Sequence, residues 1–270
     1  MAEPNGQIAS DPTFSGRRSV VTGGGQGIGA AIAKGLAARG AHVVVSGRRK
    51  ATLEAVCAAI TADGGSAEPC VGDITDPLHV DQLMATAGGS SGVIDILVNN
   101  AGIAGPTAPL AEVTLADWNE TLAVNLTGVF LACKAALPYL GRSEHGKIVN
   151  IGSVTGKQPL PNRTPYAAAK LGVVGFTRTL AHELGPSGIS VNVISPWLVG
   201  GERLDTVIGT MAKERGVSAD ELRAEMTAGT AFKRTVAEED IVAMTLFLAS
   251  TAANSITGQD INVSAGAVMY

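Results

Sequence analysis

Tyr166 and Lys170 stand four residues apart at the start of an alanine-rich run, a spacing that places both side chains on one face of a helix. A free phenol, with a pKa of about 10, is a poor acid–base group at neutral pH. An ammonium held beside it favours the phenolate. The pair therefore reads as a proton-transfer group with its tuning charge, although the spacing alone also suits an ordinary surface pair. Ser153, in Gly152-Ser153-Val154, follows the β-branched run Lys147–Ile151. It sets a hydroxyl where a strand gives way to the loop before that helix, in reach of a substrate oxygen. Asn125 interrupts the apolar stretch Leu122–Leu131. An amide there is a satisfied buried group, a helix irregularity, or a link in a water or lysine relay.

The elements that must position these groups alternate regularly. Ser19–Val21, His42–Val45, Ile94–Val98, Lys147–Ile151 and Ile189–Ile194 are continuous apolar runs, with Ala67–Val71 and Asp260–Val263 as two further strands. Continuous rather than alternating apolar runs mark strands covered on both faces by helices. Helical patterns fill the gaps at Gly27–Arg39, Lys50–Asp63, Asp76–Ala87, Leu115–Leu140, Pro165–Leu184 and Ala237–Ser250. The rhythm predicts an α/β fold: a single Rossmann-type domain over 18–270 with a doubly wound, seven-stranded parallel sheet and ligands beyond the strands' carboxyl ends. Residues 1–17, with Pro4, Asn5-Gly6, Asp11-Pro12 and Gly16, read as a flexible tail. Pro196–Phe232 is the one long connection and reads as a substrate lid.

Thr22-Gly23-Gly24-Gly25-Gln26-Gly27-Ile28-Gly29 lies between the first strand and the first helix. Glycines let backbone amides approach a pyrophosphate, and the helix amino terminus favours its charge. A tight turn packing helix on strand explains the glycines without a ligand, but the placement favours a dinucleotide. About 20 residues further on, a carboxylate would take ribose hydroxyls and an arginine a 2′-phosphate. The chain has Gly47-Arg48-Arg49 there, so NADP(H) is expected over NAD(H), which stays possible. The alternative is that both arginines simply solvate the next helix start.

Composition narrows the remaining classes. A net charge of −4 without a basic run argues against nucleic acid. Cys57, Cys70 and Cys133 show no paired spacing and the four histidines are scattered, so a reduced, metal-free, cytoplasmic protein is expected. Ile241–Ala249 reads as the longest apolar stretch, too short to cross a bilayer, and no membrane partner is expected. With 46% hydrophobic and 16% charged residues, apolar surface remains for a homo-oligomer, a tetramer or a dimer.

Taken together, Thr22–Gly29, Asn99-Asn100-Ala101-Gly102, Asn125, Ser153, and Tyr166 with Lys170 resemble the short-chain dehydrogenase/reductase family in order and spacing, from about Arg18 to the carboxyl terminus. The resemblance implies that Tyr166 is the general acid or base, that Ser153 polarises a carbonyl, and that Lys170 tunes Tyr166 and binds the nicotinamide ribose. Asn125 would complete a proton relay. Cofactor contacts would come from Gly23, Gly25, Gln26, Gly27, Ile28, Gly29, Arg48, Arg49, Asp73, Ile74, Asn99, Ala101, Gly102, Tyr166, Lys170, Pro196 and Val199. Asp73 would meet the adenine amino group, unless it merely caps the next helix. The implied activity is reversible reduction of a ketone to a secondary alcohol, with 3-oxoacyl and sugar or polyol substrates as the leading classes.

The chain departs from the family pattern at two places. Trp197 replaces a glycine after Pro196, and Gly201 stands where a threonine is expected. The indole either walls the substrate pocket or packs under the lid. Ser264-Ala265-Gly266 replaces Asp-Gly-Gly and alters a terminal turn or a subunit contact. Arg163, one turn before Tyr166, suits a substrate carboxylate, phosphate or carrier, against the plainer reading of a solvated loop arginine. A redox sensor without turnover would have lost the tyrosine, lysine or serine; a nucleotide-sugar epimerase would need a larger carboxyl-terminal domain.

Overall fold

Adjacent residues on these strands serve opposite layers, which is why their apolar runs are unbroken. In the computed structural model, which describes residues 13–270, the strands are β1 (Arg18–Thr22), β2 (His42–Gly47), β3 (Ser66–Val71), β4 (Ile96–Asn99), β5 (Lys147–Ile151), β6 (Ser190–Pro196) and β7 (Asp260–Val263). They form one parallel sheet in the order β3-β2-β1-β4-β5-β6-β7. The helices are α1 (Gly27–Ala37), α2 (Lys50–Ala62), α3 (Pro77–Gly88), α4 (Leu115–Leu122), α5 (Gly128–Leu140), α6 (Thr164–Leu184), α7 (Glu202–Arg215), α8 (Ala219–Thr227) and α9 (Glu238–Ala249).

Val21, Val43, Val45, Val98 and Val149 pack under α1, α2 and α9, through Ile32, Leu36, Leu53, Ile60 and Ile241. Their neighbours Val20, Val44, Leu97, Ile148 and Val191 pack under α3, α5 and α6, through Leu83, Met84, Cys133, Ala136 and Val173. Most of these side chains are fully buried, and each Val, Leu, Ile or Met among them contributes about 1.5–3 kcal/mol relative to exposure. Pro69 is tolerated because β3 is an edge strand. The order reverses between β1 and β4, and that switch point opens a crevice at the carboxyl ends.

Three expectations change. The helix expected over Leu115–Leu140 is α4 and α5 joined by a π-helical turn at Ala123–Thr127, with Asn125 inside it. This run, not Ile241–Ala249, is the longest apolar stretch; by length and mean hydropathy alone it would cross a bilayer. It is instead a layer helix, burying Val129, Ala132, Cys133, Ala136 and Leu140. The tail expected over residues 1–17 lies outside the described residues up to position 12, and its remainder is anchored. Phe14 is fully buried in the layer with α1 and α9, its N–H donates to Arg39 O at 2.8 Å, and Arg17 reaches Ala249 O. The connection Pro196–Phe232, expected as a lid, carries α7 and α8, which pack on their own apolar cluster of Ile208, Ala212 and Leu222.

Candidate active site

A cleft of about 1150 Å³ runs along the carboxyl ends of the strands. At its base, Thr22 ends β1 with its hydroxyl accepting the N–H groups of Asn100 and Ala101, both at 3.1 Å. Asn100 returns the contact, its Nδ2 donating to Thr22 O and Gly23 O at 3.1 and 3.0 Å. The first turn of the glycine loop is thus clasped to the end of β4. Gly23 has φ +64°, and a Cβ there would lie 2.7 Å from Ala101 Cα. A Cβ on Gly29 would lie 2.4 Å from both Gly23 O and Asn100 Nδ2. Only glycine fits at either position.

Along this floor the cleft is lined by Gly23, Gly25, Gln26, Gly27, Ile28 and Gly29 from the loop, Arg48 and Arg49 after β2, Asp73 and Ile74 after β3, and Ala101 and Gly102 after β4. Arg49 donates to Gln26 Oε1 across the mouth, while Arg48 is exposed. Asp73 accepts Thr75 N–H at 2.9 Å. That bond foremost, with the Thr75 hydroxyl, Arg48 and His79, holds its carboxyl below the usual range despite burial. The cap of α3 is Asp76, accepting from Leu78 N, so Asp73 stays at the cleft wall.

Asn99 does not join the set. It is buried, and its Nδ2 donates to Asn150 Oδ1 at 2.8 Å and to Cys133 Sγ. Successive strand residues face opposite sides, and Asn100 is the one that faces the cleft.

The same cleft is lined by Ser153, Tyr166, Lys170 and Asn125, and by Pro196, Trp197 and Val199. Thr164–Pro165 start α6, and a proline in the first turn suits a helix beginning. One turn separates Tyr166 from Lys170, whose Nζ lies 5.7 Å from the phenol ring centroid. Lys170 is 5% exposed and donates to Ile151 O at 2.8 Å, which fixes its ammonium at the end of β5. Ser153 accepts from Thr155 N at 3.1 Å, holding its oxygen at the start of a short helical turn.

Asn125 is fully buried and staples two segments. Its Nδ2 donates to Ile103 O and Thr121 O at 3.0 and 2.9 Å, and its Oδ1 accepts Ile103 N–H at 3.2 Å. Asn125 is therefore a satisfied buried amide sitting at a helix irregularity. Both its N–H groups are engaged, so its side chain holds the β4 loop against the π turn.

Glu238, Ile103 and Leu204 also line the cleft and escape the motif reading, while Thr22 and Asn100 stand inside its motifs without a role assigned there. Glu238 opens α9, and its Oε1 lies 3.6 Å from a Cβ position at Gly27 and 3.3 Å from one at Gly201. Burial, then Glu239, raises its pKa above the ordinary carboxylate value. An acid in a first helical turn reads in sequence as a dipole partner, and nothing there announces a glycine loop so far upstream in the chain. The thiols lie elsewhere: Cys57, Cys70 and Cys133 are free and buried, and burial pushes Cys133 up to about 12.

The short chain dehydrogenase family matches residues 17–209. A 3-oxoacyl-[acyl-carrier-protein] reductase of Synechocystis is 38% identical over 254 residues, covering 93% of this chain and 97% of that protein. Among solved structures, a single-residue variant of the actinorhodin polyketide ketoreductase with NADPH superposes with a TM-score of 0.87 at 34% identity, covering 94% of this chain and 98% of that one. NAD+-bound xylitol dehydrogenase gives 0.86 at 29% identity, covering 93% and 98%. The chain belongs to the short-chain dehydrogenase family, and it is an oxidoreductase of the carbonyl–alcohol class.

Proposed function

We propose that this protein reversibly reduces a ketone to a secondary alcohol with a nicotinamide dinucleotide, NADP(H) in preference to NAD(H). The observation that carries the reading is that Tyr166, with Lys170 one turn away, and Ser153 line the same cleft as the glycine floor. The floor fits a dinucleotide: Gly23, Gly25 and Gly27 leave backbone bare where a pyrophosphate approaches, at the start of α1. When bound, the nicotinamide supplies or accepts the hydride at the carbonyl carbon. Ser153 donates a hydrogen bond to the substrate oxygen, and Tyr166 delivers the proton that turns that oxygen into a hydroxyl. Lys170 sets a fixed positive charge beside the phenol and reaches toward the ribose. Asn125 positions the β4 loop that closes the site.

Two relatives set the limits of the cofactor reading, one solved with NADPH and one with NAD+. Arg48 and Arg49, with no carboxylate at the end of β2, support NADP(H) through charge-assisted bonds to a 2′-phosphate. The Synechocystis relative's name favours 3-oxoacyl compounds, and the xylitol enzyme keeps polyols in view. Phe130 on α5 and Leu171 on α6 are exposed, as are Met269 and Tyr270. They support a homo-oligomer, and the three free thiols support a cytoplasmic setting.

The test is a panel of ketones followed at the reduced-nicotinamide absorbance, with Tyr166→Phe as the control. The expected result is turnover by the wild type, a loss of roughly 10³-fold or more in the variant, on the order of a removed general acid, and dinucleotide affinity retained. Binding of NADPH without turnover on any ketone or alcohol would instead mark a redox sensor.

A further inference from the structure

Arg163 is placed where a solvated loop arginine would not be. Its guanidinium lies 4.9 Å from the Tyr166 ring centroid, on the ring that Lys170 also approaches. One terminal nitrogen donates to Thr107 Oγ1 at 2.9 Å. Its Nε is buried and has no hydrogen-bond partner. Among the described residues no carboxylate lies within ion-pair distance of it, although the side chain lines the cleft.

The side chain is held there from both sides. Asn162, just before it, takes φ +65°, and its carbonyl accepts Ala108 N–H at 3.1 Å. The loop after β4 and the loop before α6 are thereby tied together, with Arg163 at the join. The cation–ring contact uses none of the guanidinium's hydrogen-bond donors. Five donors around a fixed cation, one of them buried and unpaired, form an incomplete anion site. The fork geometry suits a planar, bidentate carboxylate. The cleft that Arg163 lines also carries the apolar side chains Ile103, Ala104, Trp197 and Leu204, which fits a hydrocarbon frame between the reacting carbonyl and the anion.

We infer that Arg163 binds a carboxylate on the substrate, so that the preferred substrates are keto acids and their hydroxy acids rather than neutral ketones. This rests on the oxidoreductase reading above and names the substrate class for the same site.

The experiment compares a series of 3-, 4- and 5-oxo carboxylates with their methyl esters, in the wild type, Arg163→Gln and Arg163→Lys. In the wild type kcat/KM for the best acid exceeds that for its ester by roughly 10-fold or more, the worth of a charge-assisted pair. In Arg163→Gln that ratio collapses to about 1, and Arg163→Lys restores part of it. A parallel titration of cyclohexanecarboxylate and cyclohexanecarboxamide into the NADPH-loaded protein reads the same site without turnover. The acid binds and the amide does not, and Arg163→Gln abolishes the difference.

An unchanged acid-to-ester ratio in Arg163→Gln would show that the arginine only props the Tyr166 ring, and would overturn the assignment. So would a wild type indifferent to the carboxylate. If the wild type turned over neither acids nor esters nor any other ketone, the oxidoreductase reading itself would fall. Ester turnover without an acid preference would fell the carboxylate site alone.

Discussion

The two ends of the cleft solve the same backbone problem with different residues. Where the floor needs left-handed turns, glycine makes them: Gly23 at φ +64° and Gly27 at +50°. At the rim of the reactive end the left-handed positions carry side chains, Asn162 at φ +65° and Leu198 at +30°. The floor is bare because another backbone, that of Ala101, passes close by and because a ligand's phosphates need amides without Cβ atoms. The rim accepts strain, about 1–2 kcal/mol at Leu198 and less at Asn162, at positions adjoining Arg163, the proposed carboxylate ligand, and Trp197, which lines the cleft. Strain placed beside a recognition residue, and its absence at the cofactor floor, separates a generic part of the site from a particular one.

The comparison breaks most sharply at Gly23. Gly23→Ala adds a Cβ 2.7 Å from a backbone atom in a left-handed conformation. Dinucleotide affinity is expected to fall roughly 100-fold or more, and stability by about 1–3 kcal/mol; fluorescence titration of NADPH and thermal unfolding read the two. An alanine tolerated there would mean the clasp with Asn100 is loose. Next, at the outer edge of the floor, replacing Arg48 and Arg49 by alanine is expected to weaken NADPH about 10- to 100-fold, the worth of one or two lost charge-assisted bonds. NADH should change by less than about 3-fold, since it has no 2′-phosphate to lose a partner, and equal losses for both would refute the assignment of the two arginines to a 2′-phosphate. The smallest effect belongs to the rim. Asn162→Gly relieves a left-handed side chain, and because asparagine tolerates that region well the gain is about 0.5 kcal/mol or less. A shift in Tm of more than a few degrees downward would show that the asparagine side chain itself braces the join.

The sheet was readable because each strand is a short apolar run and each helix a longer one. Every strand falls where the sequence predicts it; the five inner strands are buried on both faces, while β3 and β7 at the edges are largely exposed or half-buried. The reactive end was equally legible: Tyr166, Lys170 and Ser153 are brought together by a local helix spacing and one strand end. What sequence could not tell is which of two adjacent asparagines faces the cleft. Asn99 and Asn100 differ only in the pleat, and the core took the first, pairing it with Asn150 and Cys133. Glu238 comes to the site from α9, whose approach to Gly27 depends on how the whole layer packs. The π turn at Asn125 is invisible to a 3.6-residue periodicity, which continues through it as one apolar run.

Phe14 carries a practical consequence for anyone who trims this chain. The recognisable family segment begins at residue 17, and a truncation drawn there looks harmless because the sequence before it is rich in turn formers. It would remove an aromatic ring that is sealed at 0% exposure beneath the first and last helices. The hole left behind would be on the order of a Phe→Ala core deletion, about 3–5 kcal/mol, at the end of the sheet opposite the chemistry. An expression clone started at Thr13 keeps that plug; one started at Arg18 would yield a weakened scaffold whose loss of activity says nothing about the cleft.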